Sequence, residues 1–150
     1  MIKLNVPKRY IPRNLTEKDR KKQTSMLRKS RKLYKQHKYY TRKSVASFKS
    51  KPSGHVAKAR TLYKVEKIRP SRKLAKATGC SIQALNKIVN KGEGAYYSSG
   101  SRPNQTPQSW GYARLASAIT GGNAARVDYD ILEKGCGKNS RALKMAKKIM

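Results

Sequence analysis

Between Thr16 and Ser25 the chain has no apolar side chain, although the residues from Glu17 to about Tyr39 are good helix formers. Thr16 is placed to cap such a helix, with Asp19 three residues later as a weak capping-box partner. The later apolar positions, Met26, Leu27, Leu33 and Tyr34, supply only a thin seam. A helix that is polar nearly all round cannot fold on its own hydrophobic face. It leans on a partner or stands in solvent. Pro7 and Pro12 make residues 1–15 an extended lead-in, and residues 41–54 read as a connector in which Phe48 pins the chain to a surface.

Charge sharpens this picture. The chain holds 37 Lys and Arg against 7 Asp and Glu, a net +30 over 150 residues. Residues 1–80 carry 26 basic and 3 acidic side chains, whereas residues 81–150 carry 11 and 4. Such a field repels the compact chain from itself and concentrates anions around it, which implies a resident counter-partner. DNA and RNA are the usual ones, because each neutralised phosphate releases a condensed counterion. The expected organisation is a basic, extended to helical arm over 1–54 and a small helical domain over 55–150. The fold class is mostly α, with a long irregular Gly/Ser/Tyr loop. About 70–90 residues support one modest core.

A short helix is expected from His55 to about Tyr63, presenting Val56, Ala59 and Leu62, followed by an extended stretch through Val65 and Ile68 to Pro70. Within the small domain, 71–92 is the most informative pattern. Ser71 caps a first helix carrying Leu74 and Ala75, Gly79 supplies a positive-φ turn, and Ser81 caps a second helix carrying Ile82, Leu85 and Ile88. The string LAKATGCSIQALNKIVNKG resembles the opening helix-turn-helix of bacterial repressors of the lac type. That resemblance implies that Gln83, Asn86 and Lys87 lie exposed on the second helix, where Gln and Asn pair with adenine and Lys reaches guanine or phosphate. Two short helices that simply pack a core give the same pattern, and no dimerisation segment is evident.

Gly92 to Pro107 reads as an irregular loop that docks Tyr96 and Tyr97. Backbone amides around Gly92, Gly94 and Gly100 forming an anion nest is the alternative. Thr106 and Pro107 open a helix to about Thr120 that carries Trp110, Ala113, Leu115, Ala116, Ala118 and Ile119 and, as the least charged part of the chain, is the expected centre of the core. Gly121 and Gly122 end it, Asn123 caps a further helix closed by Gly135, and residues 139–150 form a basic amphipathic helix.

No catalytic constellation is visible. Among the seven acids only Asp128 and Asp130 lie close, and a spacing of two on a helix turns them to different faces. His37 and His55 have no nucleophile pattern beside them, and with Cys80 and Cys136 they make no metal site by spacing. The two cysteines read as buried free thiols of a reducing compartment. No apolar run approaches the roughly 20 residues that span a membrane. The opening Met1–Pro7 lacks a signal-type hydrophobic stretch. These features lead to the expectation of a soluble, non-enzymatic protein without cofactor or metal, made in the cytosol or reaching sites open to it.

Three strings, LTEKDRKKQTSMLRKSRKLYKQHKYYTRKSVASFKSKPSGHV, TGCSIQALNKIVNKGEGAYYSSGSRPNQTPQSWGYARLASAITGG and AARVDYDILEKGC, resemble a basic domain of large double-stranded DNA viruses of algae and protists, the phycodnaviruses and their relatives. The resemblance covers nearly the full length and brings no catalytic residues with it. It implies a late viral product packed in the particle, at the capsid interior, with other capsid proteins as partners. Viral double-stranded DNA and the anionic inner membrane are further expected contacts. Three readings stay open: a minor capsid protein whose arm bridges neighbours, a histone-like packing protein, and a helix-turn-helix regulator. The candidate contacts on the arm are Lys21, Lys22, Arg28, Lys29, Arg31, Lys32, Lys35, Arg42 and Lys43. Beyond the arm they are Gln83, Asn86, Lys87 and Arg102.

Overall fold

The computed structural model describes residues 4–51 and 53–150. The chain is mostly α, 61% helical, with no strand among the described residues. The helices are α1 (Glu17–Lys35), α2 (Gly54–Tyr63), α3 (Arg72–Thr78), α4 (Ile82–Ser98), α5 (Pro107–Ile119), α6 (Asn123–Val127), α7 (Tyr129–Gly135) and α8 (Arg141–Lys148). Two compact units emerge, Met1–Lys51 with Glu93–Trp110 and Pro52–Gly92 with Gly111–Met150. Residues 93–110, expected within the small domain, therefore cluster with the basic arm. This partition also evens out the charge, since the first unit holds 19 basic and 3 acidic residues and the second 18 and 4.

The second unit has a conventional apolar core. Leu74, Leu85, Ile88, Leu115, Ile119 and Leu132 are completely buried, and α8 adds Ala142, Leu143 and Ala146. Helices α3, α4 and α8 start on capping serines, the first two as expected. The hydroxyls of Ser71, Ser81 and Ser140 accept from the N–H groups of Leu74, Ala84 and Leu143. Gly79 ends α3 in the left-handed conformation, at φ 79°. The Tyr63 hydroxyl donates to the Ile119 carbonyl, and burial pushes its pKa up to about 12.

Several expectations are corrected. Cys80 and Cys136 are not free thiols but form a disulfide. The bond is framed by an isolated antiparallel pairing in which Ser81 N–H donates to Gly135 O and Gly137 N–H to Gly79 O. A spacing of 56 residues hides that pairing from the sequence. The helix expected to follow Gly122 is two helices, α6 and α7, that meet at Asp128. Asn123 does not cap α6; the Ser117 hydroxyl accepts from Ala124 N–H instead.

The first unit is built differently. Helix α1 buries Asp19, Gln23, Met26, Leu27 and Ser30, a face with three polar members. Leu15, Met26 and Val45 form a small apolar cluster, with Phe48, Tyr40 and Ile11 against it. The missing hydrophobic face is replaced by hydrogen bonds within the same unit. Gln23 Nε2 donates to Tyr10 O at 3.1 Å, Ser47 N–H donates to Asp19 Oδ2 at 2.8 Å, and Ser30 Oγ donates to Tyr97 O at 3.3 Å. Asn104 accepts from Val45 N–H and donates to the carbonyls of Val45 and Phe48, so one side chain stitches the connector in place. The packing that α1 cannot draw from an apolar face is thus supplied within its own unit.

Helix α4 continues to Ser98, so the irregular segment shrinks to residues 99–106. Gly92 and Gly94 are helical and offer no anion nest. Within the second unit Gly92 lets α4 approach α5 closely, since a Cβ there would lie 2.6 Å from Gly111 Cα. Gly100, at φ 125°, lies against Leu27 and Tyr10 where a Cβ has no room. Helix α5 supplies Leu115, Ala116, Ala118 and Ile119 to the apolar core as expected, whereas Trp110 near its start is half-buried and edge-on to Tyr10 at 5.9 Å.

Candidate polyanion-binding surface

The cations of the first unit divide by what their side chains already do. Arg42 is a correction to the expected contact set. It is only 7% exposed, and its guanidinium donates to Ser30 Oγ (2.7 Å), Tyr96 O (3.0 Å) and Ser101 Oγ (2.9 Å). It lies 3.8 Å from the centre of the Tyr96 ring, and its backbone N–H donates to the Tyr96 hydroxyl. Burial pulls the Arg42 pKa down, while the same burial pushes that of Tyr96 up. Neutral oxygens and a ring face solvate this buried cation, which makes it a structural centre and not a surface contact.

The remaining candidates in this unit are at or near the surface. Lys21 is highly exposed and 3.8 Å from Glu17. Lys22 donates to Ser44 O, and Arg31 donates to Ser99 O and Asn5 O, so both tie segments together from the surface. Lys29 sits 4.5 Å over the Tyr40 ring. Lys32, Lys35, Lys43 and Arg102 are exposed, and Arg28 is half-buried. Asp19 is held below the usual carboxylate range, chiefly by hydrogen bonds from Ser47, and is committed to the fold.

Gln83, Asn86 and Lys87 belong to the second unit, so the structure does not gather all the candidates into one site. All three are exposed on the first turns of α4. The two helices and the left-handed glycine turn of the helix-turn-helix pattern are present, with Leu85 and Ile88 fully buried. The N-terminal end of α4 is not open, however. Gly135 at the end of α7 lies so close that a Cβ there would meet Ala84 Cβ at 2.3 Å, and the disulfide ties the inter-helix turn to Cys136. Gln83 and Lys87 line a groove of about 280 Å³ with Asp130, Ile131 and Lys134.

Asp128, fully buried, accepts two bonds from Arg114 at 2.8 and 2.7 Å, with Lys91 3.8 Å away. Its neighbour Asp130 is exposed, so the two acids do face apart. Among the described residues no three His, Cys, Asp or Glu side chains gather as metal ligands. No helix among them is long and apolar enough to cross a membrane.

Sequence reasoning treated Tyr34 as part of a seam and passed over Tyr39. The structure places their rings 6.2 Å apart, with Tyr39 5.0 Å from Tyr97. Two adjacent-tyrosine pairs, at 39–40 and 96–97, were the available signal.

Residues 7–134 match the model of a family of unknown function (DUF5824), and the chain belongs to that family. Neither the curated proteins nor the solved structures contain a match to it.

Proposed function

We propose that this member of the family is a non-enzymatic structural protein of the particle of a large DNA virus, a minor capsid protein beneath the major shell. Its basic N-terminal unit would bridge capsid neighbours or meet the packaged genome. The observation that carries the reading is an outward-facing excess of cations on folded units: seven carboxylates cannot neutralise 37 basic side chains, and Asp19 and Asp128 are already engaged inside. Such a surface suits a resident polyanion or an acidic protein face. A buried disulfide fits a product that leaves the reducing cytosol inside a particle. The self-contained packing of the first unit changes the manner of bridging. It would dock as a folded body and not thread as an extended arm.

Histone-like packing of the genome is the second reading, favoured by the same exposed lysines. The regulator reading loses support at α4, whose N-terminal end is crowded by Gly135 and tied through the disulfide to Cys136.

Fractionating purified particles with nuclease and graded salt separates the readings. Retention in emptied shells is the expected result. Release with the DNA would transfer the assignment to genome packing, and absence from particles would overturn both.

A further inference from the structure

Near the C-terminal end of α1 the chain makes a tight reversal. His37 adopts the left-handed conformation at φ 60°, Lys38 N–H donates to Leu33 O, and His37 N–H donates to Tyr34 O. This closing motif brings the residues after the helix back along it. Tyr39 thereby lies beside Tyr34 and against Tyr97. The ladder is anchored from below, since Tyr97 stands edge-on at 5.3 Å to the buried Tyr96, the ring that Arg42 holds. At its outer end Tyr39 is 70% exposed and Tyr34 37% exposed. Lys32, Lys35 and Lys38 are exposed along the same stretch of chain.

We infer that the Tyr34–Tyr39–Tyr97 ladder is a stacking platform for the unpaired bases of a nucleic-acid strand, whose phosphates meet Lys32, Lys35 and Lys38. An aromatic ring offers every base a π-face, and a cationic rim tracks the backbone of a flexible strand. A duplex keeps its base faces stacked inside and offers this platform only edges and phosphates. A protein partner would meet a centre depleted of charge with a polar rim, whereas here three lysines lie within seven residues of the rings' own segment. This inference does not rest on the particle reading, because a single strand could be met in a capsid or in a cell.

The test uses the full chain, fluorescence anisotropy and two labelled ligands, an oligothymidylate of about 20 nucleotides and a random duplex of the same length. Near physiological salt the single strand is expected to bind more tightly, despite the higher charge density of the duplex. Tyr39→Ala should weaken single-strand binding about tenfold or more, leave duplex binding within about twofold, and keep the salt slope. Tyr39→Phe should retain affinity. Lys35→Ala with Lys38→Ala should instead lower the slope. Because Tyr39 is mostly exposed, an unchanged melting curve verifies that each variant is folded. Preference for duplex at every salt, equal loss of both ligands in Tyr39→Ala, or no binding of either ligand would each overturn the proposal; the last would turn the ladder toward a protein partner.

Discussion

The two units solve the same folding problem with different chemistry. The second buries aliphatic side chains and alanines from seven helices and adds a disulfide and one buried ion pair. The first has a small apolar cluster and compensates with a network in which Arg42, Ser30, Ser101, Tyr96, Gln23, Asp19 and Asn104 satisfy one another or the backbone. Among the described residues no buried side-chain nitrogen or oxygen lacks a partner. The difference teaches that a chain with few apolar residues can still order a basic segment, provided that every polar group it buries is matched. Leaving one unmatched costs the desolvation of that group, so such a core is specific but unforgiving.

The largest effect should come from the disulfide in the second unit. Closing a loop across a 56-residue separation is worth about 4 kcal/mol in the chain-entropy account. Replacing Cys80 and Cys136 together by Ser should lower stability to urea by that order, and no change would show that the bridge is dispensable. Next, Asp128→Ala strands Arg114, which is part-buried and keeps some access to water, so a loss of about 3 kcal/mol is expected in thermal melts. In the first unit, Arg42→Met should cost on the order of 2–3 kcal/mol by removing the charged donor from Ser30, Ser101 and Tyr96. Arg42→Lys should recover only part, since an ammonium lacks the planar fork. If Arg42→Met melts like the parent, the polar core does not hold the unit.

The smallest effect concerns acid. Asp19 is depressed in the folded chain, so its contribution is complete above the ordinary carboxylate value near 4 and is lost as pH falls through its lowered value. Asp19→Asn should flatten that limb of an acid titration followed by circular dichroism. An unaltered acid limb would remove Asp19 from the network.

What the sequence revealed follows from these two chemistries. Helix starts at Thr16, Ser71, Ser81 and Thr106 and the turn at Gly79 were legible, because capping is local and its residue types are few. The apolar core of the second unit was legible in Leu74, Leu85 and Ile88 for the same reason, periodicity. The partner of α1 was not. It is spread along the chain: Gln23 and Asp19 meet Tyr10 and Ser47 at 13 and 28 positions, Ser30 meets Tyr97 at 67, and the connector's Arg42 and Val45 meet Tyr96, Ser101 and Asn104 at 54 to 59. Such scattered hydrogen bonds leave no pattern in one sequence. Gly92-Glu93-Gly94 reads as a loop by composition, but the packing of Val89 and Tyr96 on either side carries α4 through it. The candidate surface was half legible. Its lysines are plain, whereas the burial of Arg42 and the pairing of Tyr39 with Tyr97 are products of the fold.

The claim that separates the two units most directly is that the first one orders itself from within its own chain. Hydrogen exchange read by mass spectrometry on the purified full-length protein, free of nucleic acid and of any partner, tests it. The account predicts slow exchange of amides in residues 20–35 and at Arg42, Val45 and Ser47, alongside the protected helices of the second unit. Immediate exchange through residues 16–48, with the second unit still protected, would contradict it and return that segment to an arm ordered only by what it binds.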